Sequence, residues 1–481
     1  MFCPFRGFCC DYMLYFHYLF TASDNERKGI KIMKIVLLSG GSGKRLWPLS
    51  SDNRSKQFLK VLQDENGNPE SMIQRIYGQI KKSCPDTEVV VASSESQKDA
   101  IWRQLGSRVE TVLEPSRRNT YPAILLSGAY LLDKRNTPDD EAIAVIPVDP
   151  YVEQAYFDQM AKMGQALDDS GADLCLMGIK PTYPSEKYGY ILRKPETAKG
   201  YSPVIRMQEK PTLARAKELL AQGALWNGGV FVFKAGFIRK LIEKEIGVVS
   251  FDLLYQKYET IKKDSFDYEV VEKLDSIVCV TYSGEWNDLG TWNTLTEKMK
   301  EPDGGYVIRG ENCENTHVVN ELGIPVVALG LKDTVVVASA DGILVSDKGA
   351  SSYLKPYVEK IDARPMYERR QWGEYKVLDY DKHNSNENSL TKRLHIEAGK
   401  ALSYQLHHNR DEIWTVIDGE GTFLLDGKRR DVSRGDVLYI KREQKHSVAT
   451  RVGISLIETQ IGTELIEEDI ERFDWDWSKE L

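Results

Sequence analysis

Leu38-Ser-Gly-Gly-Ser-Gly-Lys-Arg-Leu-Trp-Pro-Leu49 follows directly on an apolar run that has the composition of a buried strand. Glycines at Gly40, Gly41 and Gly43 let backbone N–H groups converge on phosphate oxygens without obstruction by a Cβ atom. The spacing is not that of a P-loop, and the third glycine of a dinucleotide fingerprint is absent. Taken alone, such a turn is open to a structural as well as to a phosphate-binding interpretation.

The pattern around this stretch predicts an α/β fold. Strands are predicted at Ile35–Ser39, Val89–Ala92, Ala142–Pro147, Leu174–Gly178 and Gly229–Phe233, and helices over Ser71–Lys82 and Phe157–Leu167. Uniformly apolar strands that alternate with helices are typical of a layered sheet buried on both faces. We therefore expect a Rossmann-like domain with a mixed, mostly parallel sheet.

The pattern of predicted strands changes twice in the remainder of the chain. Between residues 301 and 362, short β runs broken by Asp and Gly turns predict a small β-helix-like linker module. From 363 to 481, closely spaced strands separated by glycines predict a β-barrel. We expect four parts: a leader over 1–32 outside the fold, an α/β domain over 33–300, the linker over 301–362, and the barrel over 363–481.

Composition limits the function classes. A chain of 481 residues should divide into two or three domains, and its net charge of -8 argues against a broad nucleic-acid surface. The apolar run over residues 12–20 is too short to span a bilayer as a helix, so no membrane partner is expected. Seven cysteines without paired CxxC spacing indicate reduced thiols in a cytoplasmic protein.

A second block, Arg54-Ser-Lys-Gln-Phe-Leu59, comes shortly after the glycine-rich stretch. Together the two resemble the signature of sugar nucleotidyltransferases of the mannose-1-phosphate guanylyltransferase kind, GGxGxRLWPL followed by a PKQFL-like segment, with Ser55 in place of the proline. The resemblance implies that Arg45 and Lys56 neutralise the triphosphate and the charge that develops at the α-phosphorus. The alternative interpretation of either residue is a solvated surface charge.

Further blocks of the same family follow in its order. EPSRRNTYPA resembles the segment near the nucleotide base, which implies that Glu114, Arg118 and Asn119 bind the nucleotide. PVDP and WNDLGTW occupy the places of the family's PADH and WSDVGSW, which implies that Asp149 and Asp288 hold Mg²⁺ beside the reacting phosphates. A buried capping aspartate is the structural alternative for Asp149.

Three more blocks resemble the family's sugar-binding side. YGYI implies close approach of the backbone to sugar hydroxyls at Gly189. EKP implies that Glu209 accepts hydrogen bonds from two hydroxyls and that Lys210 pairs with the sugar phosphate. LWNGG adds Asn227 as a further hydroxyl partner. Each block is weak alone, and their common order makes the signal strong.

The last part of the chain carries a second constellation, formed by Gln405, His407, Glu412 and His446. The spacings Gly-x5-Gln-x-His-x4-Glu-x6-Gly and Gly-x10-His resemble the two cupin motifs. Because residues two apart on a strand face the same side, Gln405 and His407 can meet one metal ion. Nitrogen and oxygen ligands of this kind suit Zn²⁺ or another divalent transition metal.

The blocks RQWGEYKVL and QLHHNRDEIW resemble the type II mannose-6-phosphate isomerase domain, which in bifunctional relatives is fused behind the guanylyltransferase. This sequence departs from that family at Asn409 and Ile413, where histidines are expected, and residues 473–477 replace its terminal Tyr-Gly-Arg. Isomerase activity and a degenerate cupin that serves as a structural or regulatory cap therefore remain as alternatives.

The resemblance implies an enzyme that transfers a guanylyl group from GTP to mannose 1-phosphate, giving GDP-mannose for polysaccharide biosynthesis and pyrophosphate. Its partners are small molecules, and the sequence leaves a homo-oligomer open. One alternative is a nucleotidyltransferase for another sugar 1-phosphate or base with a non-catalytic cupin. The other is a sugar-nucleotide sensor, against which the joint presence of Arg45, Lys56, Asp149 and Asp288 argues.

Overall fold

The computed structural model describes residues 33–41, 43–51, 54–382 and 387–478, so the predicted leader over 1–32 lies outside the described residues. The first part of the chain alternates strands and helices. Its strands are β1 Lys34–Leu38, β2 Leu62–Gln63, β3 Pro69–Glu70, β4 Val89–Ser94, β5 Glu110–Glu114, β6 Ala142–Pro147, β7 Pro150–Val152, β8 Leu174–Ile179, β9 Tyr190–Arg193, β10 Ser202–Gln208, β11 Leu225–Lys234, β12 Ile277–Tyr282 and β13 Trp286–Asp288. Its helices are α1 Met72–Ser83, α2 Lys98–Leu105, α3 Thr120–Ala129, α4 Ala155–Ser170, α5 Leu213–Ala221, α6 Ala235–Ile246, α7 Phe251–Gln256, α8 Phe266–Glu269 and α9 Trp292–Thr296.

Nine of these strands form one sheet in the order β5-β4-β1-β6-β11-β8-β12-β10-β9. Pairing is parallel from β5 to β6 and between β8 and β12, and antiparallel at β11 and along β12-β10-β9. The sheet is mixed as predicted, but its antiparallel portion is larger than predicted. The reason is that β11 enters between β6 and β8 in the opposite direction.

Side-chain alternation along β1 explains why helices cover both faces of the sheet. Ile35 and Leu37 pack into one core with α1 and α4, whereas Val36 packs into the opposite core with α3 and α6. The sequence also fixes where α1 begins, because Ser71 and Gln74 form a capping box at its first turn. The helix predicted from Ser71 therefore begins one residue later.

The module that follows has the strands β14 Asp303–Gly304, β15 Val307–Arg309, β16 His317–Asn320, β17 Val326–Ala328, β18 Thr334–Ser339 and β19 Gly342–Asp347, and ends in the helix α10 Lys355–Val358. β14, β16 and β18 pair in parallel, as do β15 and β17, and β19 closes the larger sheet antiparallel. Two parallel ladders formed by successive short strands are the arrangement of β-helix coils. Val335 and Val337 of this module share one hydrophobic core with Leu46, Leu49 and Trp292 of the α/β part.

The last part is a system of antiparallel strands. They are β20 Tyr367–Arg370, β21 Gly373–Lys382, β22 Asn388–Ile396, β23 Lys400–Ala401, β24 Tyr404–Leu406, β25 Arg410–Leu425, β26 Lys428–Ser433, β27 Val437–Ile440, β28 His446–Thr450, β29 Ile454–Gly462 and β30 Glu471–Phe473. The sheet has its own core around the fully buried Trp414, with Leu394 and Leu456 from neighbouring strands. Inward-facing polar residues of β24, β25 and β28 lie beside this core.

Polar contacts join the last part to the rest of the chain. Gln371 donates to Asp99 of α2 at 2.5 Å, Arg103 of the same helix donates to the carbonyl of Arg370, and the Met366 amide donates to Asp341 at 2.7 Å. Within the described ranges, no helix combines the length and the apolar character needed to cross a membrane.

Candidate functional site

Asp149 and Asp288 are brought together by a short antiparallel ribbon at the carboxyl end of β6. Asp149 lies two residues after the end of β6. The pairing of β7 with β13 puts Asp288 opposite Pro150. The Leu289 amide approaches the Asp149 carbonyl at 3.4 Å. Two carboxylates distant in sequence therefore lie at the edge where parallel strands end, the usual ligand edge of such sheets.

Lys56 links the glycine-rich loop to this carboxylate pair. It begins a short 3₁₀ helix, Lys56–Phe58, packs against Gly43, and donates from Nζ to Asp149 Oδ2 at 2.8 Å. Burial opposes a charge on Lys56, but Asp149 and Asp288 outweigh it and raise the pKa of the ammonium. Burial likewise opposes ionisation of Asp149, yet Lys56 lowers its pKa. Both groups are therefore charged at neutral pH.

Arg45 lies on the 3₁₀ turn Lys44–Leu46 with an exposed side chain. Its charge favours ionisation of both Asp149 and Asp288. Burial and the neighbouring Asp149 raise the pKa of Asp288. A further cation beside these carboxylates would relieve this repulsion, and hard oxygen donors fit a divalent ion such as Mg²⁺.

A cavity of about 350 Å³, the glycine-loop cavity, opens beside Gly40 and Gly41. The predicted nucleotide-binding residues line it, but their polar groups already have protein partners. Glu114 accepts a hydrogen bond from Tyr258 at 2.6 Å, and Arg118 pairs with Glu259 at 2.6 Å. Asn119 has a positive φ of 77° and caps α3 through the Thr120 amide at 2.9 Å. Ser94 and Arg117 line the same cavity and were not singled out from the sequence.

A second cavity, of about 280 Å³, collects the predicted sugar-side residues and is called the Glu209 cavity. Glu209 accepts a hydrogen bond from Lys210 at 2.6 Å, and Asn227 lies on the wall formed by β11. A Cβ atom at Gly189 would lie 2.4 Å from Glu209 Oε2, so a larger residue there would displace the Glu209 carboxylate. Tyr188, Trp286 and Asp267 also line the cavity without having been singled out.

The two cavities meet. Pro147 and Asp149 line both of them, so the segment after β6 forms a shared wall. Two ligands bound side by side would come together beside Asp149, within reach of Lys56.

The predicted cupin constellation forms a compact cluster. His407, Glu412 and His446 are buried, and one ligand atom of each lies within 4.8 Å of the others. His407 Nε2 is 3.2 Å from Glu412 Oε1, and His446 Nε2 is 3.4 Å from Glu412 Oε2 without hydrogen-bonding geometry. Gln405 Nε2 lies 3.4 Å from His407 Nε2. All four predicted ligands therefore face one interior position.

Surrounding groups orient the imidazoles for metal binding. His407 Nδ1 lies 2.6 Å from the Asp469 carbonyl oxygen, which directs Nε2 toward Glu412. Burial lowers the pKa of His407 to about 4, so the ring is neutral at pH 7, the form that binds metals. Together with the orphaned His446 Nε2, these features fit a divalent transition metal.

Arg410 was not predicted and is the main addition to the cluster. It is 5% exposed and donates to Glu412 Oε1 at 2.9 Å and to Asp469 Oδ2 at 3.2 Å. Gln460 also donates to Glu412 Oε1, at 3.2 Å. Arg410 offers the cluster a fixed positive charge, and its place between the motif's histidine and glutamate gave no indication of that role.

Comparisons with known proteins match two stretches of the chain. The nucleotidyl transferase family profile matches residues 34–302, and the mannose-6-phosphate isomerase C-terminal profile matches residues 362–475. The mannose-1-phosphate guanylyltransferase of Escherichia coli K12 is 30% identical over 91% of this chain and 97% of its own length. The alginate biosynthesis protein AlgA of Pseudomonas aeruginosa is 29% identical over 91% of this chain and 96% of its own length.

Xanthan biosynthesis protein XanB of Xanthomonas campestris is 31% identical over 91% of this chain and 97% of its length. Among solved structures, mannose-1-phosphate geranyltransferase from Thermus thermophilus aligns with a TM-score of 0.58 and 28% identity, over 69% of this chain and 100% of that one. The similarity extends over the α/β part, the linker module and the terminal sheet together, as the coverage of the full-length relatives requires.

Proposed function

The chain belongs to the mannose-1-phosphate guanylyltransferases of the nucleotidyl transferase family, and from this we propose that it transfers a guanylyl group from GTP to mannose 1-phosphate. The products are GDP-mannose and pyrophosphate. Two relatives are named for alginate and xanthan biosynthesis, which supports a use of the product in polysaccharide synthesis. We place the reaction in the cytoplasm, because Cys84, Cys175, Cys279 and Cys313 are free thiols.

The shared wall of the two cavities is the observation that carries this proposal. GTP fits the glycine-loop cavity, where backbone amides at Gly40 and Gly41 can approach its phosphates. Mannose 1-phosphate fits the Glu209 cavity, where carboxylate and amide groups can bind hydroxyls. Both ligands then place a phosphate beside Asp149.

The proposed reaction is an in-line displacement. An oxygen of the sugar phosphate attacks the α-phosphorus of GTP, and pyrophosphate leaves, so the protein needs no covalent nucleophile. Lys56 and Arg45 neutralise negative charge on the phosphates, and the cavity walls hold the two reactants in line. A divalent cation, which we propose to be Mg²⁺ held by Asp149 and Asp288, supplies further neutralisation of the triphosphate.

A matrix of nucleoside triphosphates against sugar 1-phosphates, with pyrophosphate release as the readout, tests the proposal. We expect GTP with mannose 1-phosphate to give the highest kcat/KM, and we expect turnover to require a divalent cation. Faster turnover of another pair would replace the assigned substrates. Binding of GDP-mannose without turnover of any pair would identify a sensor.

The terminal sheet supports a second function, the interconversion of mannose 6-phosphate and fructose 6-phosphate. The supporting observation is the buried cluster of His407, Glu412 and His446. When bound there, a metal ion, which we propose to be Zn²⁺ or another divalent transition metal, would polarise the carbonyl and hydroxyl groups during proton transfer between C1 and C2. A coupled assay of fructose 6-phosphate conversion tests this activity, and a metal-loaded protein without conversion would identify the domain as a cap.

A further inference from the structure

Asp267 lines the Glu209 cavity, and no sequence motif predicts a role for it. It is the second residue of the short helix α8 and lines the cavity together with Glu209, Lys210 and Asn227. Its carboxyl group is thus placed among the groups assigned to the sugar rather than at the surface. Two carboxylates, and not one, are available on this wall.

The surroundings of α8 fix the position of this carboxyl group. Asn227 Nδ2 donates to Asp267 Oδ1 at 2.7 Å. The helix is anchored at its start, where the Phe266 amide donates to Thr120 Oγ1 at 2.9 Å and Ser265 caps the turn through the Tyr268 amide at 3.3 Å. Among the described residues, no side chain donates a hydrogen bond to the second carboxyl oxygen of Asp267.

The carboxyl group of Asp267 has few hydrogen-bond donors in this cavity. Glu209 is paired with Lys210 at 2.6 Å, which leaves Asp267 as a second acid with one amide donor. Burial, and then the neighbouring Glu209, raise the pKa of Asp267 to about 7, against the opposing effects of Lys210 and Asn227. A half-buried carboxyl group with few donors carries a desolvation cost, and hydroxyl donors from a ligand would relieve that cost.

We propose that Asp267 is a sugar-binding and specificity-determining residue, which accepts a hydrogen bond from one hydroxyl of the hexose 1-phosphate while Glu209 accepts from another. This inference rests on the proposed function, since it assigns the Glu209 cavity to the sugar. Asn227 donates to Asp267 and holds the carboxylate in place for the hydroxyl. A hexose without that hydroxyl would leave the second carboxyl oxygen of Asp267 without a donor, so the site selects for hexoses that carry this hydroxyl.

Steady-state kinetics of Asp267→Asn provide the first test. The amide has the same shape and can still accept from Asn227, but it lacks the charge that strengthens a bond to a hydroxyl. We expect the KM for mannose 1-phosphate to rise about tenfold or more, with the KM for GTP within about twofold of the wild-type value. Asp264→Asn is the matched control, because Asp264 bonds to the Ser265 amide just before the same helix and does not line the cavity.

Monodeoxy analogues of mannose 1-phosphate separate recognition from a structural role. In the wild type, we expect one analogue to lose about tenfold or more in kcat/KM, and in Asp267→Asn the same analogue should lose no more than about twofold further. Equal penalties in both proteins, or equal rises in both KM values with a lower Tm, would overturn the assignment.

The wild type in the same assay separates the inference from the function on which it rests. An inactive wild type contradicts the proposed function, whereas an active wild type with an unchanged Asp267→Asn contradicts only the role of Asp267. If the amide variant does not fold, Asp267→Ser is measured by the same criteria.

Discussion

Lys56 is the residue on which the α/β site depends most. Its ammonium group lies 2.8 Å from Asp149 and is stabilised electrostatically by Asp288. Lys56 also packs against Gly43 of the glycine-rich loop. It therefore fixes the position of a positive charge relative to both the loop and the carboxylates. Its removal would leave the two half-buried acids Asp149 and Asp288 without their common partner.

We expect Lys56→Ala and Asp149→Ala each to lower kcat by about two to three orders of magnitude, because each removes charge stabilisation at the reacting phosphates. The melting temperature should change by only a few degrees, since neither side chain belongs to a hydrophobic core. Lys60→Ala, an exposed position four residues further on, is the control. Near-normal kcat in either of the first two variants would remove that residue from the mechanism.

Sequence motifs predicted the charged residues that belong to them. They did not predict the charged residues that only tertiary packing brings to the sites. Lys56 and Asp149 belong to motifs with fixed spacing, so they could be named, and the structure brings them into contact. Asp267 and Arg410 reach their sites through tertiary packing of a four-residue helix and of a strand of the terminal sheet. No local pattern encodes that packing, and therefore sequence reasoning missed both.

At the scale of elements, the β-helix-like module contacts the end of the glycine-rich loop. Ser339 Oγ of β18 donates to the Pro48 carbonyl at 3.0 Å. Gly342 of β19 packs directly against the Trp47 ring. The end of the loop is therefore held from a module that was predicted to be a linker.

Gly342→Ala tests this support. The added Cβ would lie 2.4 Å from the Trp47 ring at a backbone φ of 149°, so the loop must move. We expect the melting temperature to fall by several degrees and kcat/KM for GTP to fall by about tenfold or more. Gly323→Ala, where a Cβ meets nothing within 4 Å, should leave both unchanged. Unchanged kinetics in Gly342→Ala would show that the loop does not depend on the module.

The strands β24, β25 and β28 supply the cupin ligands, and this predicts their metal content. We expect purified wild type to contain about one equivalent of a transition metal per chain, and His407→Ala/His446→Ala to have lost it, because only Gln405 and Glu412 then remain as ligands. Elemental analysis measures the metal. Guanylyl transfer in the same preparation should be unaffected, and equal metal content in both proteins would contradict the site.

The pattern of buried strands predicted the existence of the elements well, and their directions less well. Apolar runs such as Ala142–Pro147 appear as strands with the same bounds. The order of the sheet depends on β11 pairing with both β6 and β8, strands far apart from it in sequence. Hydrophobic periodicity is the same for a strand in either direction, so it could not predict the size of the antiparallel portion.

On the scale of the whole molecule, the α/β part is connected to its two neighbours in different ways. The β-helix-like module shares a buried hydrophobic core with it, through residues such as Leu46 and Val337. The terminal sheet has a separate core and reaches α2 and Asp341 through polar contacts. Removing the terminal sheet should therefore lower the stability of the α/β part less than removing the β-helix-like module.

We expect a protein of residues 33–362 to fold and to release pyrophosphate from GTP and mannose 1-phosphate at a rate comparable to that of the full chain. A protein of residues 33–300 should fail to fold or lose activity, because it exposes the shared core beneath the phosphate loop. Thermal unfolding and the pyrophosphate assay measure both. Activity in the shorter protein, or inactivity of a folded longer one, would contradict this division.

The shared core around Leu46, Trp292 and Val337 also determines where this gene can recombine. A crossover near residue 300 would separate side chains that pack in one core. The recombinant proteins would then combine core residues that do not fit together. A crossover near residue 362 would separate the polar contacts of Gln371 and Met366 and would leave both hydrophobic cores, the shared one and that of the terminal sheet, intact. Lineages that acquire, discard or replace the terminal sheet should therefore carry the β-helix-like module along with the α/β part as one heritable unit.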